Sequence, residues 1–168
     1  MLLLNYSQQQ NIKPISQNNE DKYFQIASEV EEFELKKILG VRFLQDIQTT
    51  PSGTWNAKLL TGDTLKDGSK HKGLKYVIAY LNFSRYIGSS NVVDSFSGFK
   101  KHTTEQSEFL TEGEVKRLLN LNREIALTEF DLIKDWLNEN YSEFPTWDSG
   151  KEKKPFTPIF YGVRKTAR

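Results

Sequence analysis

Apolar residues recur at three- and four-residue spacing through much of the chain, the period of helices with one buried face. Tyr23, Ile26, Ala27, Val30, Phe33 and Ile38 make one such stripe, with Glu29, Glu31, Glu32 and Glu34 on its other faces. Asn18 or Asn19 followed by Glu20 and Asp21 marks its start: a side-chain oxygen accepts from orphan amides, and acids suit the positive end of the dipole. Lys36 and Lys37 suit its other end, and Gly40 provides the stop. Val41, Phe43, Leu44 and Ile47 form a short second piece, closed by the turn residues 49–53. A third short helix at about residues 54–61 buries Trp55, Leu59 and Leu60. Residues 62–73 are polar with three glycines, which predicts a mobile surface loop.

From Leu74 to Ile87 two stripes run side by side, Leu74, Val77, Ile78 and Leu81 on one and Tyr76, Tyr80, Phe83 and Ile87 on the other. This predicts a helix central to a bundle. Tyr76, Tyr80 and Tyr86 resemble a stacking platform for bases, but aromatics at helical spacing are far more often core. Residues 92–110 lack a stripe and predict a long loop or irregular hairpin between the two main helices. Phe96, Phe99, Lys100 and Lys101 then sit at its tip, unless the phenylalanines fold back onto the core. Thr111-Glu112-Gly113-Glu114 reads as a capping box. The helix behind it carries Val115, Leu118, Leu119, Ile125, Ala126, Phe130, Ile133, Trp136, Leu137 and Tyr141 over roughly 40–45 Å at about 1.5 Å per residue. Leu121, Leu127 and Leu132 fall off that stripe and suggest a second contact surface.

The ends differ. Residues 1–20, rich in Gln, Asn and Ser, read as an arm. From Ser142 onward the chain offers no stripe with which to build a core. Pro155 and Pro158 favour an extended chain, while Phe156, Ile159, Phe160 and Tyr161 each bury substantial area when bound. The expectation is an all-α fold: an N-terminal arm at 1–20, a small helical bundle at 21–141 with a long C-terminal helix, and an extended C-terminal arm at 142–168. Stretched, that last arm reaches roughly 85–90 Å at about 3.3 Å per residue. It either docks on another molecule or wraps back on its own bundle.

A chain of 168 residues suits one core. The lack of cysteine excludes a disulfide framework and thiolate metal sites. The apolar start, Met-Leu-Leu-Leu, is too short for a signal peptide or membrane span, so a soluble protein is expected. The net charge of +1 hides an uneven spread, −2 over residues 1–50, +3 over 51–111, −3 over 112–141 and +3 over 142–168. Acidic helices and basic loops are mostly solvated surface, although basic loops also suit phosphates. His71 and His102, both amid lysines, lack partners at metal-ligand spacing. Gly62, Gly68 and Gly73 do not form a phosphate cradle. The crowded glutamates 29–34 read as a solvated face. Neither catalysis, a cofactor nor a metal is expected.

Residues 36–44 (Lys-Lys-Ile-Leu-Gly-Val-Arg-Phe-Leu), 55–60 (Trp-Asn-Ala-Lys-Leu-Leu), 72–80 (Lys-Gly-Leu-Lys-Tyr-Val-Ile-Ala-Tyr) and the helix after Thr111 occur in an order that resembles head-to-tail connector proteins of tailed bacteriophages. The similarity is to the version in crAss-like and related phages of Bacteroidetes hosts, over about residues 20–145. It implies a mostly helical adaptor in the virion neck that forms a homo-oligomeric ring, commonly of twelve copies, beneath the portal protein. Such a ring extends the channel for genomic DNA, binds no membrane and meets further neck or tail proteins below. On that reading Phe156, Ile159, Phe160 and Tyr161 dock on the portal or a neighbouring subunit, and Lys100 and Lys101 line the channel by phosphate attraction. The segment 151–161 departs from the pattern and puts the arm's role in doubt. The competing expectation is a nucleic-acid-binding module acting as a free protein, which would need a coherent basic face.

Overall fold

The structure, a computed structural model, describes residues 2–15, 20–90, 92–95, 98–101 and 111–147. In chain order the elements are α1 (Tyr6–Ile12), α2 (Glu20–Glu29), a π-helical stretch (Val30–Leu35), α3 (Lys36–Leu39), α4 (Val41–Thr49) and α5 (Thr54–Thr61). A short ladder of β1 (Asp63–Thr64) and β2 (Lys70–His71) leads to α6 (Leu74–Ser90), and a hairpin of β3 (Val92–Ser95) and β4 (Gly98–Lys101) follows. The long α7 (Glu112–Glu139) and a 3₁₀ turn (Tyr141–Glu143) complete the order. The fold is all-α, with each two-stranded sheet serving as a connection.

Helices α6 and α7 lie along each other and form the centre. Leu74, Val77, Ile78, Ala79 and Leu81 of α6 are buried, as are Ala126, Phe130, Ile133, Trp136 and Leu137 of α7. The capping box at Thr111 is formed: its hydroxyl accepts from Glu114 N, and the Glu114 carboxylate accepts from Thr111 N at 2.7 Å. Phe43, Leu44 and Ile47 of α4 and Leu59 and Leu60 of α5 close the core from the side. Tyr80 and Tyr86 pack against it, and the Tyr76 ring lies 4.6 Å from that of Tyr80.

Four expectations are corrected. The first helix is broken by its π-helical stretch, whose wider turn rotates the following residues; Phe33, expected inside, is 63% exposed, and Leu35 is buried. Residues 2–15 are no free arm. Asn5 caps α1 through a box with Gln8, and Leu3, Leu4 and Ile15 are buried. The Gln9 amide donates to Ala79 O at 3.1 Å and accepts from Asn82 Nδ2 at 3.2 Å, pinning α1 to α6.

The glycine-rich connection 62–73 is also built in. Gly62 and Gly73 have φ of +108° and +88°, and a Cβ on either would come within 2.5 Å of a backbone oxygen. Only glycine allows the two ends of the ladder to approach this closely. Finally, Phe144 and Trp147 are buried against Phe43, so core-building continues beyond Ser142.

Candidate functional site

At one end of the bundle an open cleft of about 490 Å³ lies between the start of α4 and the chain leaving α7. Gly40, with φ of +80°, separates α3 from α4 and turns the chain so that Val41 and Arg42 face outward while Phe43 points into the core. On the other side, the Asn140 side chain donates to Trp136 O at 2.8 Å as α7 ends, and the 3₁₀ turn presents Tyr141. Phe144 then drops into the aromatic cluster of Phe43, Trp55 and Trp136, with ring centroids 5.5–6.4 Å apart. The Trp147 ring lies 5.2 Å from Phe43, and its indole N–H donates to Asn138 Oδ1 at 3.2 Å. The Thr146 hydroxyl donates to the Asp46 carboxylate on α4. The cleft wall is thus a rigid aromatic base, while Val41 and Tyr141 on it are 51% and 52% exposed.

Lys100 and Lys101 lie on β4, where Lys100 pairs with Val93 and Lys101 with Val92. They therefore sit along the second strand, toward the base of the hairpin instead of its tip. Phe156, Ile159, Phe160 and Tyr161 lie outside the described residues, as do Phe96 and His102. Leu121 and Leu127 are exposed on α7, as their place off the stripe predicts, whereas Leu132 is half-buried.

The glutamate cluster is structural in detail. Glu29 pairs with Arg85 at 2.8 Å, Glu34 lies 3.4 Å from both Arg85 and Arg123, and Glu32 pairs with Lys36. Exposed pairs of this kind contribute about 0–1 kcal/mol each. Glu31 departs from the expected solvated face: it is buried, accepts from Leu3 N at 2.6 Å and from Gln48 Nε2 at 2.7 Å, and burial raises its pKa.

His71 is also buried. Its ring lies 5.0 Å from Trp136, and among the described residues neither ring nitrogen has a hydrogen-bond partner. Desolvation lowers its pKa below the ordinary 6.5, partly offset by Glu129 and Asp63. Among the described residues no group of three or more His, Cys, Asp or Glu side chains is placed to hold a metal ion. No described helix is long and apolar enough to cross a membrane.

The class defined by these features is an all-α bundle with a preformed apolar cleft beside its last helix. Residues 35–157 match the model of a family described as "Family of unknown function (DUF6712)", and the chain belongs to that family. The match spans both walls of the cleft. No curated protein and no solved structure matches the chain.

Proposed function

We propose that this chain is a structural protomer of a bacteriophage neck: a non-enzymatic head-to-tail connector that assembles as a ring beneath the portal, extends the DNA channel and links capsid to tail. The observation that carries the reading is the pairing of Val41 and Tyr141. Both are about half exposed on a cleft with a rigid floor, at the place where the chain passes on to an aromatic segment. Apolar side chains held in solvent on a fixed base gain by being covered, and a repeated assembly covers them in every copy. Modest contacts suffice, because each closure of a ring is helped by effective concentration. Lys100 and Lys101, on a hairpin next to the central helix, would meet passing DNA by phosphate attraction without reading its sequence.

The test is the mass and negative-stain appearance of the purified protein with and without the portal encoded beside it. A ring that appears with the portal supports the connector. Salt-sensitive DNA binding by the monomer, with no ring under either condition, would replace it with the free nucleic-acid-binding module.

A further inference from the structure

The cleft beside α7 has aromatic walls, and the chain carries an extended aromatic segment beyond the described fold. We infer that the cleft receives residues 155–161 of a second copy of this chain, so that each subunit straps the next with its own C-terminal arm. The inference rests on the ring reading above and names the partner of that site.

Chemistry supports the match. Residues 155–158 read Pro-Phe-Thr-Pro, the spacing at which an extended proline helix docks in grooves lined by aromatic side chains. Val41, Phe43, Tyr141, Pro145 and Trp147 line such a groove, with Arg42 at its rim. Its volume of about 490 Å³ falls within the range of about 300–1,000 Å³ typical of built binding sites. Phe156, Ile159, Phe160 and Tyr161 supply the complementary apolar area.

Charge and chain length favour exchange between copies. Residues 148–168 carry six Lys and Arg against two Asp and Glu. Beside the cleft stand the acidic Asp46 and Glu143, both exposed, against the single Arg42. Trp147 is itself part of the wall, so the arm begins at the cleft's own edge. The spacer that follows, Asp-Ser-Gly-Lys-Glu-Lys-Lys at 148–154, is rich in charge, and charged linkers extend. It delivers the apolar block roughly 25 Å away at about 3.3 Å per residue, toward a neighbour, where returning to its own cleft would require an immediate reversal.

The chain has no cysteine, which makes a disulfide trap clean. Full-length Val41→Cys and Phe160→Cys chains, differently tagged, are mixed with the portal and oxidised, and a second mixture uses Tyr141→Cys with Ile159→Cys. The expected result is a covalent heterodimer, about tenfold more abundant than when Phe24→Cys, exposed on α2, replaces Val41→Cys. A chain carrying both Val41→Cys and Phe160→Cys should give a ladder of covalent oligomers. A double-cysteine chain that closes only on itself, as a monomer, overturns the exchange. Rings visible in the same samples without cross-links in either mixture also overturn it, and leave the connector reading standing. Cross-linked copies without any ring support the strap and count against the connector.

Discussion

The imidazole of His71 lies against the indole of Trp136, ring centroids 5.0 Å apart, in a site where it has no hydrogen-bond partner among the described residues. Burial holds its pKa below 6.5, so the unfolded chain takes up this proton before the folded one does. As the pH falls below 6.5, His71 therefore withdraws stability, at up to about 1.4 kcal/mol per pH unit, until its folded pKa is passed. Above 6.5 it has no such effect. Glu31, whose pKa burial raises, acts with the opposite sign: the folded chain takes up its proton first, adding stability as the pH falls through the folded value toward 4.5. Urea denaturation of the wild type and His71→Phe between pH 5 and 8 isolates the histidine. The variant should lose the decline below 6.5 and converge on wild-type behaviour above it.

Gln9 is the polar pin between α1 and α6. Its amide donates to Lys13 O and Ala79 O and accepts from Asn82 Nδ2, all within 3.2 Å. Gln9→Leu leaves the buried Asn82 side chain without this partner, which costs about 1–3 kcal/mol. Gln9→Leu combined with Asn82→Leu should recover part of the loss, because neither polar group is then stranded. Chemical denaturation measures both, and limited proteolysis should show faster cleavage near α1 in the single variant alone.

The three glycines of the 62–73 connection are not equivalent. Gly62 and Gly73 have positive φ and no room for a Cβ, whereas Gly68 has φ of +87° with nothing within 4 Å. Gly68→Ala should cost about 1 kcal/mol, the price of the left-handed backbone alone. Gly62→Ala and Gly73→Ala add a backbone collision and should each cost well over 2 kcal/mol. Thermal melts of the three variants rank them. Equal losses at all three positions would mean that the ladder relaxes freely.

The bundle was legible because its signals are local and repeated: the stripe on α7, the capping box at Thr111 and the stop at Gly40 each depend on residues a turn apart. What escaped depends on contacts distant in sequence. Phe33 sits at α-helical spacing from Val30, yet the π-helical turn moves it outward and brings Leu35 in. The polar residues 2–15 lack a stripe, and their docking rests on Gln9 finding Ala79 and on Leu3 N finding Glu31. His71 sits among lysines in sequence, and only the closely packed glycines reveal that its loop is part of the core. The cleft was half visible. Phe156, Ile159, Phe160 and Tyr161 stood out by composition, whereas Val41 was read as a core position and Tyr141 as the end of a stripe.

Phe144 and Trp147 separate the fold from the arm, and two truncations distinguish their roles. A chain ending at Trp147 keeps the aromatic cluster of Phe43, Trp55 and Trp136 covered, and should melt within a few degrees of the full chain. One ending at Asn140 removes two buried aromatic side chains, each worth about 3–5 kcal/mol by the usual cost of truncating such residues. A domain with about 5–15 kcal/mol of total stability should then be largely or wholly unfolded. If residues 148–168 serve only as a strap, the first truncation should leave the monomer's circular dichroism unchanged while abolishing ring formation with the portal. A ring of normal mass and stability from the chain ending at Trp147 would show that the assembly contacts lie on the helical body, with exposed Leu121 and Leu127 as the next surface to mutate.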